Sequence, residues 1–149
     1  MSERDLESFE RWLEPLIEKL SPGERRQLAR QIARENRISQ RERIKAQRNP
    51  DGSAYQPRSA LRGQAGSIRR KAMFTKLRSA RYLTMSAGPD AAVVRFMGRV
   101  ASIARVHQLG LRDRVAPGGP TVRYPQRELL GFTRADRERI RDNLIDHLT

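Results

Sequence analysis

Cysteine is missing altogether from this 149-residue chain. That absence excludes disulfides, thiolate nucleophiles and cysteine-based zinc sites. Aromatic residues are scarce at 5%, and hydrophobic residues make up only 37% of the chain against 32% charged. This allows one modest core with long polar segments outside it, and a chain so lean gains from a partner surface or from its own copies. Long apolar runs are absent as well: nothing approaches the roughly 18 residues of a membrane span, and the polar, acidic stretch from Met1 to Glu10 does not read as a signal peptide. The expected setting is a cytoplasm, unless the chain is carried out as part of something larger, with no membrane partner.

Catalytic constellations are equally scarce. Of the two histidines, His107 has no carboxylate or second metal ligand at helical spacing, and His147 falls in the last turn of a C-terminal helix, where its partial charge suits the dipole, so both read as structural. Asp51 and Asp90 fall in turns, and the remaining acids are scattered without the spacing of a metal site. Gly118-Gly119-Pro120 lacks the lysine and helix that a phosphate loop requires, and no serine occupies a nucleophile elbow. The expectation is a protein that is not an enzyme and holds no cofactor.

What the chain does have is positive charge. The net charge is +14, and only four of the 31 basic residues are lysine. The first twenty residues carry six acids against three bases, whereas residues 49–99 carry ten bases and two acids. Arginine's planar fork of donors suits carboxylates and phosphates and desolvates more easily than lysine. Arg69, Arg70 and Lys71, with Phe74 and Tyr82 interleaved nearby, supply material for phosphate contacts and stacking. Two readings stay open at this level: nucleic-acid binding, and a basic surface that is solvated or forms interfaces. No zinc finger or RNA-binding motif favours the first.

Periodicity predicts the elements. Leu6, Phe9, Leu13, Leu16, Ile17 and Leu20 mark one face of an amphipathic helix capped by Ser2 with Asp5; Pro15 is expected to kink or shorten it. Ser21-Pro22-x-Glu24 opens a second helix running to about Gln47. Beyond Ala33 its apolar residues are reduced to Ile38 and Ile44, so its far half is expected to stand clear of the core or to pack on another subunit. Asn49-Pro50-Asp51-Gly52 is a turn. Residues 53–67 and 111–120 read as basic, flexible loops, and Ile68 to Leu77 as a short helix or an approach to a strand. Arg81–Ser86 and Ala91–Met97 form a hairpin, Arg99–Gln108 a short helix stopped by Gly110, and Val122–Tyr124 a third strand. Thr133 with Asp136 caps a final helix. The expected fold is α+β, one domain over 1–149: N-terminal helices, a small antiparallel β-sheet with a short helix, and a C-terminal helix.

Four strings in order then carry a resemblance: Gln47-Arg48-Asn49-Pro50-Asp51-Gly52-Ser53-Ala54-Tyr55; Ile68-Arg69-Arg70-Lys71-Ala72-Met73-Phe74; Gly98-Arg99-Val100-Ala101 leading to Arg105-Val106-His107-Gln108-Leu109-Gly110; and Tyr124-Pro125-Gln126-Arg127-Glu128-Leu129-Leu130-Gly131. From about Leu6 onward the chain resembles the S-type tail completion (virion morphogenesis) proteins of contractile-tailed temperate phages. The resemblance implies a structural protein with a tail-terminator or neck-protein-like fold. It also implies a role at the head-proximal end of the tail, readying it to join the capsid, in homo-oligomeric rings that are commonly hexameric. The implied partners are tail tube or terminator proteins, neck or connector proteins, and passing DNA touched without base readout. No catalytic, cofactor or metal residue is carried over; the candidate interface or DNA-channel residues are Arg69, Arg70, Lys71, Arg112, Arg114 and Arg127.

Overall fold

A computed structural model describes residues 2–58 and 72–149. The order is α1 (Glu3–Glu18), α2 (Pro22–Lys45), β1 (Leu83–Ala87), β2 (Ala92–Phe96), α3 (Val100–Leu109), β3 (Arg112–Arg114), β4 (Thr121–Arg123) and α4 (Arg134–Leu148). The fold is mixed α+β, as expected, with its strands in two antiparallel ribbons, β1–β2 and β3–β4, that do not join. The strand foreseen near Val122 therefore pairs with residues 112–114, inside the segment read as a loop. The sequence signal there was hidden because a three-residue strand built from Arg-Asp-Arg shows no apolar alternation.

The caps form where the sequence places them. Ser2 and Asp5 make a reciprocal capping box, as do Thr133 and Asp136. Ser21 accepts from the Glu24 amide at 3.1 Å, with Pro22 in the first turn. Pro15 does not shorten α1, which continues to Glu18. The carbonyl that loses its donor belongs to Arg11, which is exposed, so water can satisfy it. Gly110 ends α3 in the left-handed region (φ +64°).

The far half of α2 departs from expectation. Asn36, Gln40, Arg43 and Ile44 are all buried, so this half lies in the heart of the molecule. Its polar side chains go inside because each finds partners there. Ile44 joins Tyr55, Met73, Phe74, Ala104 and Leu129 in the apolar core, with Leu77 and Phe96 packed against it. The β1–β2 hairpin lies along α2, with Leu83 fully buried. Of the segment read as a flexible loop, residues 53–58 are tied down: Ala54 bridges Arg48, and Tyr55 is 4% exposed. The remainder of that loop and Ile68 to Lys71 lie outside the described residues.

Candidate assembly interfaces

The inside of the protein is organised by one arginine. Arg43 Nη1 donates to the carbonyls of Arg48 (2.9 Å) and Glu128 (2.7 Å) and to the Tyr55 hydroxyl (3.2 Å). Its Nη2 donates to Gln40 Oε1 (2.5 Å) and the Leu129 carbonyl (2.8 Å). Neutral acceptors thus hold a guanidinium only 8% exposed. Burial raises the Tyr55 phenol above its ordinary value, with the Arg43 charge pulling the other way.

The same segment, residues 127–131, is gripped from other sides. Gln108 Oε1 accepts from the Leu129 and Leu130 amides, both at 2.9 Å, while its Nε2 donates to the Leu130 carbonyl at 2.7 Å. Asn49 Oδ1 accepts from the Glu128 amide, and Gln40 Oε1 from that of Gly131. An irregular strand-to-helix connection is thereby fixed by side chains in place of a β-ladder. Gln47 extends the arrangement: held at φ +59°, it pairs with both the amide and the carbonyl of Met73.

His107 sits between Phe74 and Tyr124, with ring centroids 4.8 and 5.0 Å away. Its Nδ1 is 3.1 Å from Arg127 Nη1. Since arginine can only donate, Nδ1 accepts and the imidazole proton resides on Nε2. His147 lies in the last turn of α4 beside the Asn143 carbonyl. No group of three or more His, Cys, Asp or Glu placed to hold a metal exists among the described residues.

The six interface candidates are not one patch. Arg69, Arg70 and Lys71 lie outside the described residues. Arg127 points inward: it is 3% exposed and donates to the carbonyls of Gln56 and Pro57. Burial, with Arg58 nearby, lowers its pKa from the ordinary arginine value. Its role in the subunit is to tie the stretch after Tyr55 to α3, so it offers no free fork to a partner. Arg112 and Arg114 are exposed on β3. Two residues apart on a strand they share a face, and Arg112 is directly opposite Arg123 of β4. Three guanidinium groups therefore share one side of a short ribbon, where like charges placed opposite each other are destabilising. Arg123 was missed in the sequence because only the pairing register reveals it.

Two further surfaces escaped sequence reading. A cleft of about 430 Å³ is lined by Arg34, Arg37, Ile38 and Arg41 of α2 with Ala80, Thr84 and Met85. Arg37 Nε anchors one wall by donating to the Leu83 carbonyl at 2.6 Å. On another side α1 turns six exposed acids outward and buries only Leu13 fully; Leu6 and Trp12 are 48% and 47% exposed.

The strings 47–55, 105–110 and 124–131 thus converge on one buried junction, and what they build is a frame. The model of the phage virion morphogenesis family matches residues 4–149. The chain belongs to that family. Within it, "Tail completion protein S" of Escherichia phage P2 is 41% identical over 147 residues, covering 97% of each chain. No solved structure matches. In this virion morphogenesis protein, then, the described residues of the strings at 47–55, 105–110 and 124–131 help hold the frame together, while the arginine surfaces and α1 lie on the outside.

Proposed function

We propose that this virion morphogenesis protein is a structural component of the phage tail that completes its head-proximal end and enables the tail to join the head. It acts as one domain in a homo-oligomeric ring, hexameric by preference, between the tail tube or terminator and the neck or connector proteins. It is assembled in the host cytoplasm and carried in the virion. The observation that carries this reading is identity of 41% along 97% of a protein named for tail completion. The role needs no reacting group, cofactor or metal, only two faces complementary to neighbours. Among the described residues no helix is long and apolar enough to cross a membrane.

The test is a phage in which the gene is disrupted. Tails and DNA-filled heads should accumulate unjoined, and the protein supplied in trans should restore infectious particles. Native mass of the purified protein should show a defined oligomer. A protein that stays monomeric and never enters particles would sink the reading.

A second reading, a stand-alone nucleic-acid-binding protein, is favoured by one observation: the cluster of Arg112, Arg114 and Arg123 on one ribbon face. It requires steeply salt-dependent DNA binding by the monomer. In the assembly reading the same face meets acidic partner proteins or passing DNA only when many copies are held together.

A further inference from the structure

The helix α1 does not match the surface charge of its own subunit. It carries Glu3, Asp5, Glu7, Glu10, Glu14 and Glu18 in a protein of net charge +14. Among the described residues none of these acids pairs with another element. Glu7 pairs with Arg11 one turn away at 3.6 Å, and Asp5 is used in the capping box. The helix is an amphipathic one whose apolar stripe is only half covered. Leu13 is buried and Phe9, Leu16 and Ile17 are half-buried, but Leu6 and Trp12 are exposed, with Trp12 stacked on Phe9 at 6.0 Å. By helical periodicity Leu6 borders Glu10 and Glu14, whereas Trp12 lies on the other flank of the stripe, and an apolar edge beside a row of acids suits a groove with an apolar floor and a basic rim.

Such a groove exists in the same chain. The cleft of about 430 Å³ has Ile38, Ala80 and Met85 as its apolar part and Arg34, Arg37 and Arg41 around it. Ile38 is 42% exposed, and Arg34 has no partner among the described residues. By helical periodicity, Arg34, Arg37 and Arg41 occupy a different face of α2 from Glu35 and Ser39, which meet α4. On the other side, Asp5 and Phe9 of α1 lie close to Phe132, Arg137 and Arg141 around α4. The cleft and the α4 side that α1 lines thus lie on different faces of α2, as a heterologous contact that propagates from copy to copy requires.

We propose that α1 of one copy seats in the α2–β1 cleft of the next, Leu6 on Ile38 and Met85, with Glu10 and Glu14 against Arg34 and Arg41. The inference rests on the ring reading above and names the contact that closes it. Charge complementarity chooses the occupant: the acidic, half-covered helix and the basic, apolar-floored cleft are both on this chain. An acidic segment of another tail protein is the competing occupant.

The chain's lack of cysteine makes the test clean. In the full-length protein, Leu6→Cys with Ile38→Cys should, on oxidation, give a ladder of covalently linked chains. Either substitution alone should give at most a dimer. In parallel, Glu10→Arg with Glu14→Arg should raise the concentration for half-dissociation of the oligomer about tenfold or more. Arg34→Glu with Arg41→Glu should do the same, and the fourfold charge-swapped protein should recover assembly. Unchanged melting of each variant separates a lost contact from a lost fold. An oligomer of unaltered mass and midpoint in the charge variants, with no ladder, overturns this contact and leaves the ring standing. A link within one chain, or to a different tail protein in isolated tails, also overturns it. A wild-type protein monomeric at every concentration removes the ring and this contact together.

Discussion

Arg43 Nη2 donates to the Leu129 carbonyl at 2.8 Å across 86 residues of sequence. The bond joins the end of α2 to the stretch that leads into α4, so the charged side chain takes the central place in a core short of apolar residues. Replacing Arg43 with Met would leave the carbonyls of Arg48, Glu128 and Leu129 without this donor. We expect a loss of about 3 kcal/mol or more in unfolding free energy, read by chemical denaturation. Arg43→Lys should recover only part of it, because one ammonium cannot reproduce the two-nitrogen fork. A change within about 0.5 kcal/mol for Arg43→Met would mean that water replaces the guanidinium at no cost.

Gly131 is required by Pro50. A Cβ at position 131 would lie 2.5 Å from the Pro50 ring, inside any tolerable contact. Gly131→Ala should therefore cost about 1–3 kcal/mol by overpacking. Pairing it with Pro50→Ala should return part of that loss, giving a favourable coupling in a double-mutant cycle. Strict additivity of the two substitutions would show that the turn and the α4 lead do not press on each other.

How far the fold could be read in advance follows from which interactions have local signatures. Caps, turns and the hairpin depend on residues two to four apart, and Ser2, Ser21, Gly110 and Thr133 do what their spacing implies. The burial of Asn36, Gln40 and Arg43 was not legible, because an apolar pattern is the usual sign of an inward face and these residues are inward by virtue of partners 85 to 103 positions away. Arg127 illustrates the reverse error: in sequence it looked like one more surface cation, whereas the Gln56 and Pro57 carbonyls claim it. Among the candidate surfaces, Arg112 and Arg114 could be named from the sequence. Arg123 and the cleft around Ile38 exist only once strand register and helix facing are fixed.

Acid should act on Asp136. The carboxylate is 1% exposed; desolvation raises its pKa, but hydrogen bonds from Ser39, Thr133 and Arg139 together outweigh that and leave it below its ordinary value. The folded state then binds this proton less readily than the unfolded chain, whose aspartates titrate near ~3.9. Its contribution to stability is complete above that value and is lost as pH falls through the lower, folded one. Asp136→Asn should be less stable at neutral pH and should show a flatter decline below about pH 4. Asp5 and Asp51 are lowered too, by Ser2 and Ser53 respectively, so the decline should flatten without vanishing. Parallel stability curves for the two proteins would show that Asp136 is not the acid-sensitive group.

The ribbon β3–β4 offers a test in which stability and function move in opposite directions. Arg112 faces Arg123 across the strands with both side chains exposed, and such a like-charge pair weakens the hairpin. Arg112→Thr removes the repulsion and adds a residue that favours strands, so thermal stability should rise by about 0.2–1 kcal/mol. If this face meets phosphates or acidic neighbours, the same substitution must weaken that contact. Binding of the assembled protein to duplex DNA should lose about one unit of salt dependence, and complementation of a gene-disrupted phage should fall. Arg123→Glu should go further in both directions, since it replaces repulsion with attraction and reverses one charge of the cluster. A gain in stability with no loss of binding or particle yield would leave the three arginines as solvated surface and remove this ribbon from the candidate interfaces.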